Sequence, residues 1–116
     1  MKVAIASTEK GINGDIAGHF GNATHFVIAE IEDNIIKSTK LLENPHAGGH
    51  VPGALPEFIK ELGADTIIVC GIGPMAIKHF SDYRIKLIMG VEGSVREILD
   101  KFAAGELEGE ENKCSI

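Results

Sequence analysis

The chain has 116 residues, 44% of them apolar, and a formal net charge of −6. That length is one domain, enough to bury a core without cross-links, and a charged fraction of 24% with abundant Ile, Val and Leu excludes a disordered chain. Net negative charge with 11 Lys and Arg argues against nucleic acid as a partner, and the absence of Trp leaves little from which to build a base-stacking platform.

Residues 3–6 are a short apolar run that reads as a central, two-sided buried strand. Residues 9–18 carry three glycines and an Asn and read as a loop. Residues 26–31 and 35–42 read as two strands, joined by a tight turn at Asp33-Asn34, because both residue types tolerate positive φ. The lysines at 37 and 40 suit the second of these to an exposed edge. Residues 44–53 hold two prolines, three glycines and two histidines and form the longest irregular stretch in mid-chain. Leu55, Phe58, Ile59 and Leu62 then give one apolar helical face, stopped at Gly63. Residues 66–70 are a buried strand, and Gly71-Ile72-Gly73-Pro74 turns into a second helix with Pro74 in its first turn, running to about Phe80. Residues 85–89 are a fifth strand. Ser94 and Glu97 have the spacing of a capping box ahead of a third helix (Val95, Ile98, Leu99, Phe102), which Gly105 ends. The expected domain is therefore residues 1–105, and residues 106–116 are expected to be an acidic, flexible tail.

The order β-β-β-α-β-α-β-α implies a three-layer α/β domain on a mixed five-stranded sheet, with right-handed crossovers between the later parallel strands. It places the C-terminal ends of strands one, three, four and five, with the start of strand two, at one rim. Loops 7–18, 19–22, 44–53, 71–74 and 90–94 converge there, and in open α/β sheets ligands bind at such a rim. The acids of the tail lie outside the domain, so the rim is expected to be less acidic than the total charge suggests.

His19, His46 and His50 fall on this rim, and neutral imidazole is a common ligand of iron, copper and zinc. Each can equally be a solvated loop residue. Glycines between His46 and His50 argue for a loop rather than a helical metal motif, and neither cysteine has a neighbouring ligand for a closed zinc site. Gly71-Ile72-Gly73-Pro74-Met75-Ala76 matches the form G-x-G-x-x-A of a dinucleotide fingerprint, but Pro74 lacks an N–H and the second mononucleotide half is missing. A helix N-terminus facing a small anion is the more modest reading. Cys70 reads as a buried small hydrophobe, and Cys114 as a tail thiol or a soft ligand reaching the rim. His79 reads as a solvated helix residue. There is no nucleophile elbow and no P-loop. The order of elements resembles the ribonuclease H-like fold, yet the first strand, Val3-Ala4-Ile5-Ala6, carries none of the carboxylates that a two-metal nuclease needs.

His19-Phe20-Gly21, Glu43-Asn44-Pro45, Gly71-Ile72-Gly73-Pro74, and Gly90 with Glu92-Gly93-x-Val95 occur in the order and near the spacing of a known family. In these motifs the chain resembles the dinitrogenase iron–molybdenum cofactor biosynthesis family, the NifX-like domain also found at the C-terminus of NifB, over residues 1–109. The resemblance implies a ribonuclease H-like fold without nuclease activity, and binding or carriage of a metal–sulfur cluster. It points to His19, Phe20, Gly21, Gly71, Ile72, Gly73, Pro74 and Gly93 as cofactor-binding residues, and more loosely to His46 and His50 in a glycine- and histidine-rich loop. With Cys114 added, the candidate metal ligands are His19, His46, His50 and Cys114. The chain departs from the nitrogenase proteins proper in being the bare domain, and resembles the small stand-alone members better.

The resulting expectation is a small, non-catalytic carrier of an iron–sulfur or molybdenum-containing cluster, not permanently loaded. It would meet a cluster donor or acceptor protein and be monomeric or weakly homodimeric. A nucleotide- or small-anion-binding regulatory module using the 71–74 turn is the alternative, and an interaction module pairing through strand three is a third possibility. The N-terminal apolar run is too short for a signal peptide and nothing approaches the ~20 apolar residues of a membrane span, so a cytoplasmic location without membrane or nucleic-acid partners is expected.

Overall fold

The computed structural model describes residues 1–47, 53–107 and 109–111. Strand β1 (Lys2–Ser7) is flanked by β2 (His25–Glu32), antiparallel to it, and by β4 (Thr66–Ile68), parallel to it. β3 (Ile35–Glu43) pairs antiparallel with β2, and β5 (Lys86–Met89) parallel with β4. The expected mixed five-stranded sheet is present. A two-residue strand, β6 (Glu110–Glu111), lies antiparallel on β5 and makes the order β3-β2-β1-β4-β5-β6. Part of the segment expected as a flexible tail is therefore bound to the sheet, while Cys114 lies outside the described residues.

Local chemistry sets the element ends. Asp33 and Asn34 have φ of 52° and 64°, the pair of left-handed residues that a two-residue hairpin requires. Helix α1 (Ala54–Glu61) is followed by Gly63 at φ +79°, and α3 (Val95–Ala103) by Gly105 at φ +77°. Pro74 opens α2 (Pro74–Asp82) from its first turn. At α3 the Ser94 hydroxyl accepts a hydrogen bond from the Glu97 amide at 3.1 Å.

The alternation along β1 and β2 divides the core in two. Ala4, Ala6, Phe26, Ile28, Ile67 and Val69 pack with Ile59 of α1 and Phe80 of α2. Val3, Ile5, Val27, Ala29, Ile68 and Ile88 pack with Val95, Ile98 and Leu99 of α3 on the opposite face. This is the three-layer arrangement, with every crossover helix starting from the same end of the sheet. Among the described residues no helix is long and apolar enough to cross a membrane.

Candidate functional site

The rim expected from strand direction exists. β1, β3, β4 and β5 end there and β2 begins there, since His25 is paired with both Ser7 and Glu43. What the sequence does not foretell is how tightly the loops are sewn together. The segment after β1 crosses back over the strand ends, first donating from Ala17 N–H to the Ala6 carbonyl at 2.9 Å. The Ile16 amide donates to the Gly93 carbonyl and the Val95 amide to the Gly14 carbonyl, both at 2.9 Å. The Phe20 amide donates to the Gly71 carbonyl at 2.7 Å, and the Gly71 amide to the Gly18 carbonyl at 3.1 Å. Gly90 N–H reaches the Cys70 carbonyl at 2.8 Å. Three separate loops are thus one hydrogen-bonded frame, holding Gly93, His19 and Gly71 in fixed relation.

His19 stands exposed on this frame as the cap of a short 3-10 turn (Phe20–Asn22). Its Nδ1 accepts from the Gly21 amide at 3.1 Å, so the proton of the neutral ring resides on Nε2. The ring's remaining polar atom is therefore a donor, suited to an anionic sulfur or oxygen. Direct metal ligation through Nε2 requires loss of that proton or release of the cap. Phe20, expected among the binding residues, is 3% exposed and packs against Phe80 and Phe26, with ring centroids 5.4 and 5.9 Å away. It anchors His19 from below.

Glycine at 71 allows the close crossing, since a Cβ there would stand 3.0 Å from the Gly18 carbonyl oxygen and 3.3 Å from the His19 ring and would push them apart by a few tenths of an ångström. Both its polar backbone atoms are already bonded to the crossing segment, so a pyrophosphate cannot approach this glycine as it would in a dinucleotide fold. Ile72 is half-buried and packs against the helix layer. At the start of α2, Pro74 has no N–H and the Ile77 amide is bonded to Gly73, which leaves the amides of Met75 and Ala76 as the donors of the positive helix end. Met75 is 67% exposed beside them, giving that edge an apolar surface.

His46 is held from a different side. Asn44, 6% exposed, donates through Nδ2 to the Ala23 carbonyl at 2.7 Å and accepts through Oδ1 from the His46 amide at 2.8 Å. His46 is half-buried with its ring edge-on to Phe58 at 6.2 Å. Asn44, part of the Glu43-Asn44-Pro45 motif but not among the candidate ligands, is a structural residue of the site. Its signal was an Asn-Pro pair directly after a strand, the signature of a side chain that closes its own turn. His50 and Cys114 fall outside the described residues. The chain passes from Glu110 to Glu111 in the direction opposite to β5, heading away from the rim. Cys70 is a free, half-buried thiol beneath the 71–74 turn. Among the described residues no three His, Cys, Asp or Glu side chains converge to hold a metal ion, so His19 and His46 do not by themselves make a closed centre.

Glu92 of the 90–94 loop shares a cavity of about 390 Å³ along α3 with Glu97, Lys101 and Glu106. Three carboxylates against one lysine make that cavity a poor place for an anionic ligand. The His19 and α2 flank is the one that offers donors.

Comparison with known proteins agrees over nearly the whole chain. The family described as "Dinitrogenase iron-molybdenum cofactor" matches residues 1–105. A protein of Methanocaldococcus jannaschii, the uncharacterized MJ0580, is 34% identical over 110 residues, covering 93% of this chain and 90% of its own. The crystal structure of PH0822 superposes with a TM-score of 0.87 at 34% identity, covering 95% of this chain and 96% of that one. A Thermotoga protein named as a candidate NifB, TM1290, superposes with a TM-score of 0.76 at 26% identity, covering 93% and 91%.

Proposed function

The chain belongs to the dinitrogenase iron–molybdenum cofactor family, and on that premise we propose that it is a small carrier that binds an anionic iron–sulfur or molybdenum–sulfur cluster at the rim and passes it on, without catalysing a reaction of its own. The cluster is cargo. The observation that carries this reading is the His19–Gly71 crossing: it holds an exposed imidazole, Nε2–H outward of its cap, against Gly71, which lies three residues ahead of Pro74 at the α2 N-terminus.

His19 Nε2–H and the amides of Met75 and Ala76 are donors matched to the sulfide or oxo edge of a cluster. Met75 and Ile72 supply apolar surface next to them. His46 would approach it from the other side. Few or no covalent bonds suit a carrier, because a cluster locked by several thiolates could not be released. The global charge of −6 opposes an anion only at range, since screening removes most of it beyond ~8–10 Å. Close to the ligand the three donors decide. A donor or acceptor protein of cofactor assembly is the implied partner, in the cytoplasm. The test is anaerobic reconstitution with iron, sulfide and molybdate, followed by metal analysis and absorption spectroscopy. Stoichiometric metal and sulfide on the wild type, reduced in the His19→Ala variant, is the expected result.

A further inference from the structure

The sheet has an edge that the rim does not use. β3 runs nine residues, Ile35–Glu43, and pairs on one side with β2; among the described residues no strand lies along its other side. Mean strands are shorter, about five or six residues, and a long bare edge is a template for another strand. Natural proteins suppress such edges with charge, bulges or a covering element. Here a bulge at Lys37 interrupts only the first part of the strand, since Ser38 pairs with Glu30 while Ile36 pairs with Ile31, and residues 38–43 keep a regular register with β2.

The chemistry along the edge is specific. Lys40 lies opposite Ile28, on the sheet face that carries α1 and α2, and Leu41 lies opposite Val27, on the face that carries α3. Leu41 is 45% exposed although its side chain rests on Gly11, where a Cβ would come within 3.2 Å of it. Ile35 at the far end of the strand is 55% exposed. Lys37 and Lys40 are exposed, and among the described residues neither has an ion-pair partner, in a chain whose net charge is −6. The strand therefore shows two exposed lysines in its middle, with Glu43 at its rim end, and a partly apolar strip on an acidic molecule.

We propose that β3 is the docking edge for an extended, acidic segment of a partner protein, added as a further strand, with acidic side chains against Lys37 and Lys40 and an apolar one against Leu41. Main-chain hydrogen bonds supply the adhesion and alternate side chains the selectivity. A second copy of this chain is the poorer occupant, because its own β3 offers Glu43 as its one acid and brings two more lysines to the same strip, and like charges across a strand pair destabilise it. The proposal does not depend on what binds at the rim.

The test uses a capped nine-residue peptide alternating valine with glutamate, titrated into the isotope-labelled protein and followed by amide chemical shifts. Shifts are expected along β3 and its neighbour β2, with the rim loops unmoved. The same peptide with lysine for glutamate should bind about tenfold more weakly, and the Lys37→Glu/Lys40→Glu double variant should invert that preference. The comparison of the two peptides on the wild type needs no variant to fold. Equal affinity for both peptides, shifts confined to another surface, no binding at all, or concentration-dependent self-association through β3 would each overturn the proposal.

Discussion

His19 and Gly71 face each other as a parallel bridge, the backbone of one crossing directly over the turn that leads to α2. The contact is close because neither side has room to spare: the Phe20 amide is 2.7 Å from the Gly71 carbonyl, and a methyl group on Gly71 would meet the Gly18 oxygen at 3.0 Å. The rim is thus a rigid frame with an imidazole mounted on it, rather than a group of independent loops.

That geometry makes Gly71→Ala a sharp perturbation. The new methyl group meets backbone, which yields poorly, so a loss of about 1–3 kcal/mol is expected in urea unfolding. Gly73→Ala is the control, since nothing lies within 4 Å of its Cβ position and its φ of −82° suits any residue. Alanine is a poorer N-cap than glycine, so a loss of no more than about 1 kcal/mol is expected, smaller than that of Gly71→Ala.

Asn44 closes the second side of the site. In Asn44→Ala the Ala23 carbonyl and the His46 amide both lose their partner, and the site is buried. A loss of about 2–3 kcal/mol follows from two unmet groups. Asn44→Asp retains the acceptor for His46 but turns a carboxylate toward the Ala23 carbonyl, so it should not rescue. Thermal melts of the two variants check this.

The cap of α3 is separable from the site. Ser94→Ala removes the bond to the Glu97 amide and should cost about 1 kcal/mol. Ser94→Asp should restore most of it. Neither variant should alter cluster binding, because the Val95 amide that ties this loop to Gly14 is untouched.

The C-terminal strand depends on one small residue. A Cβ on Gly109 would come 2.6 Å from the Ile88 side chain and 2.9 Å from that of Val91. Gly109→Ala should lift β6 from β5. Hydrogen exchange should then quicken at the outer edge of β5 and within β6, with the rest of the sheet unchanged. Uniform exchange across the chain would show that β6 is held in some other way.

These cases show what was legible in the sequence. The hairpin at Asp33-Asn34, the glycine stops at Gly63 and Gly105, the Ser94 cap and the shared strand-end rim all follow from local residue chemistry and the direction of the crossovers. Strand ends differ by a residue or two, as where His25 joins β2 and where β4 stops at Ile68. The missed features depend on residues far apart in the chain. Nothing local in Glu110–Glu111 marks a strand; it forms because Gly109 fits against Ile88 and Val91. Phe20 reads as a cofactor-binding motif residue until Phe26 and Phe80 are seen to pack around it. Glu106 reads as a tail acid until it is found lining one cavity with Glu92 and Glu97. Hydrophobic period and turn chemistry report the first kind of feature and are silent on the second.

The most direct measurement of the central claim is the affinity of the anaerobically reconstituted cluster for the wild type, for His19→Ala and for Ser94→Ala, read by metal and sulfide content after gel filtration across a dilution series. Removing one donor to a charged ligand corresponds to roughly tenfold or more in affinity. The expected result is metal and sulfide retained by the wild type and Ser94→Ala, and at least about tenfold weaker retention by His19→Ala. A wild type that retains no metal, or a His19→Ala variant that retains it as well as the wild type, would contradict the assignment of the rim as a cluster-carrying site.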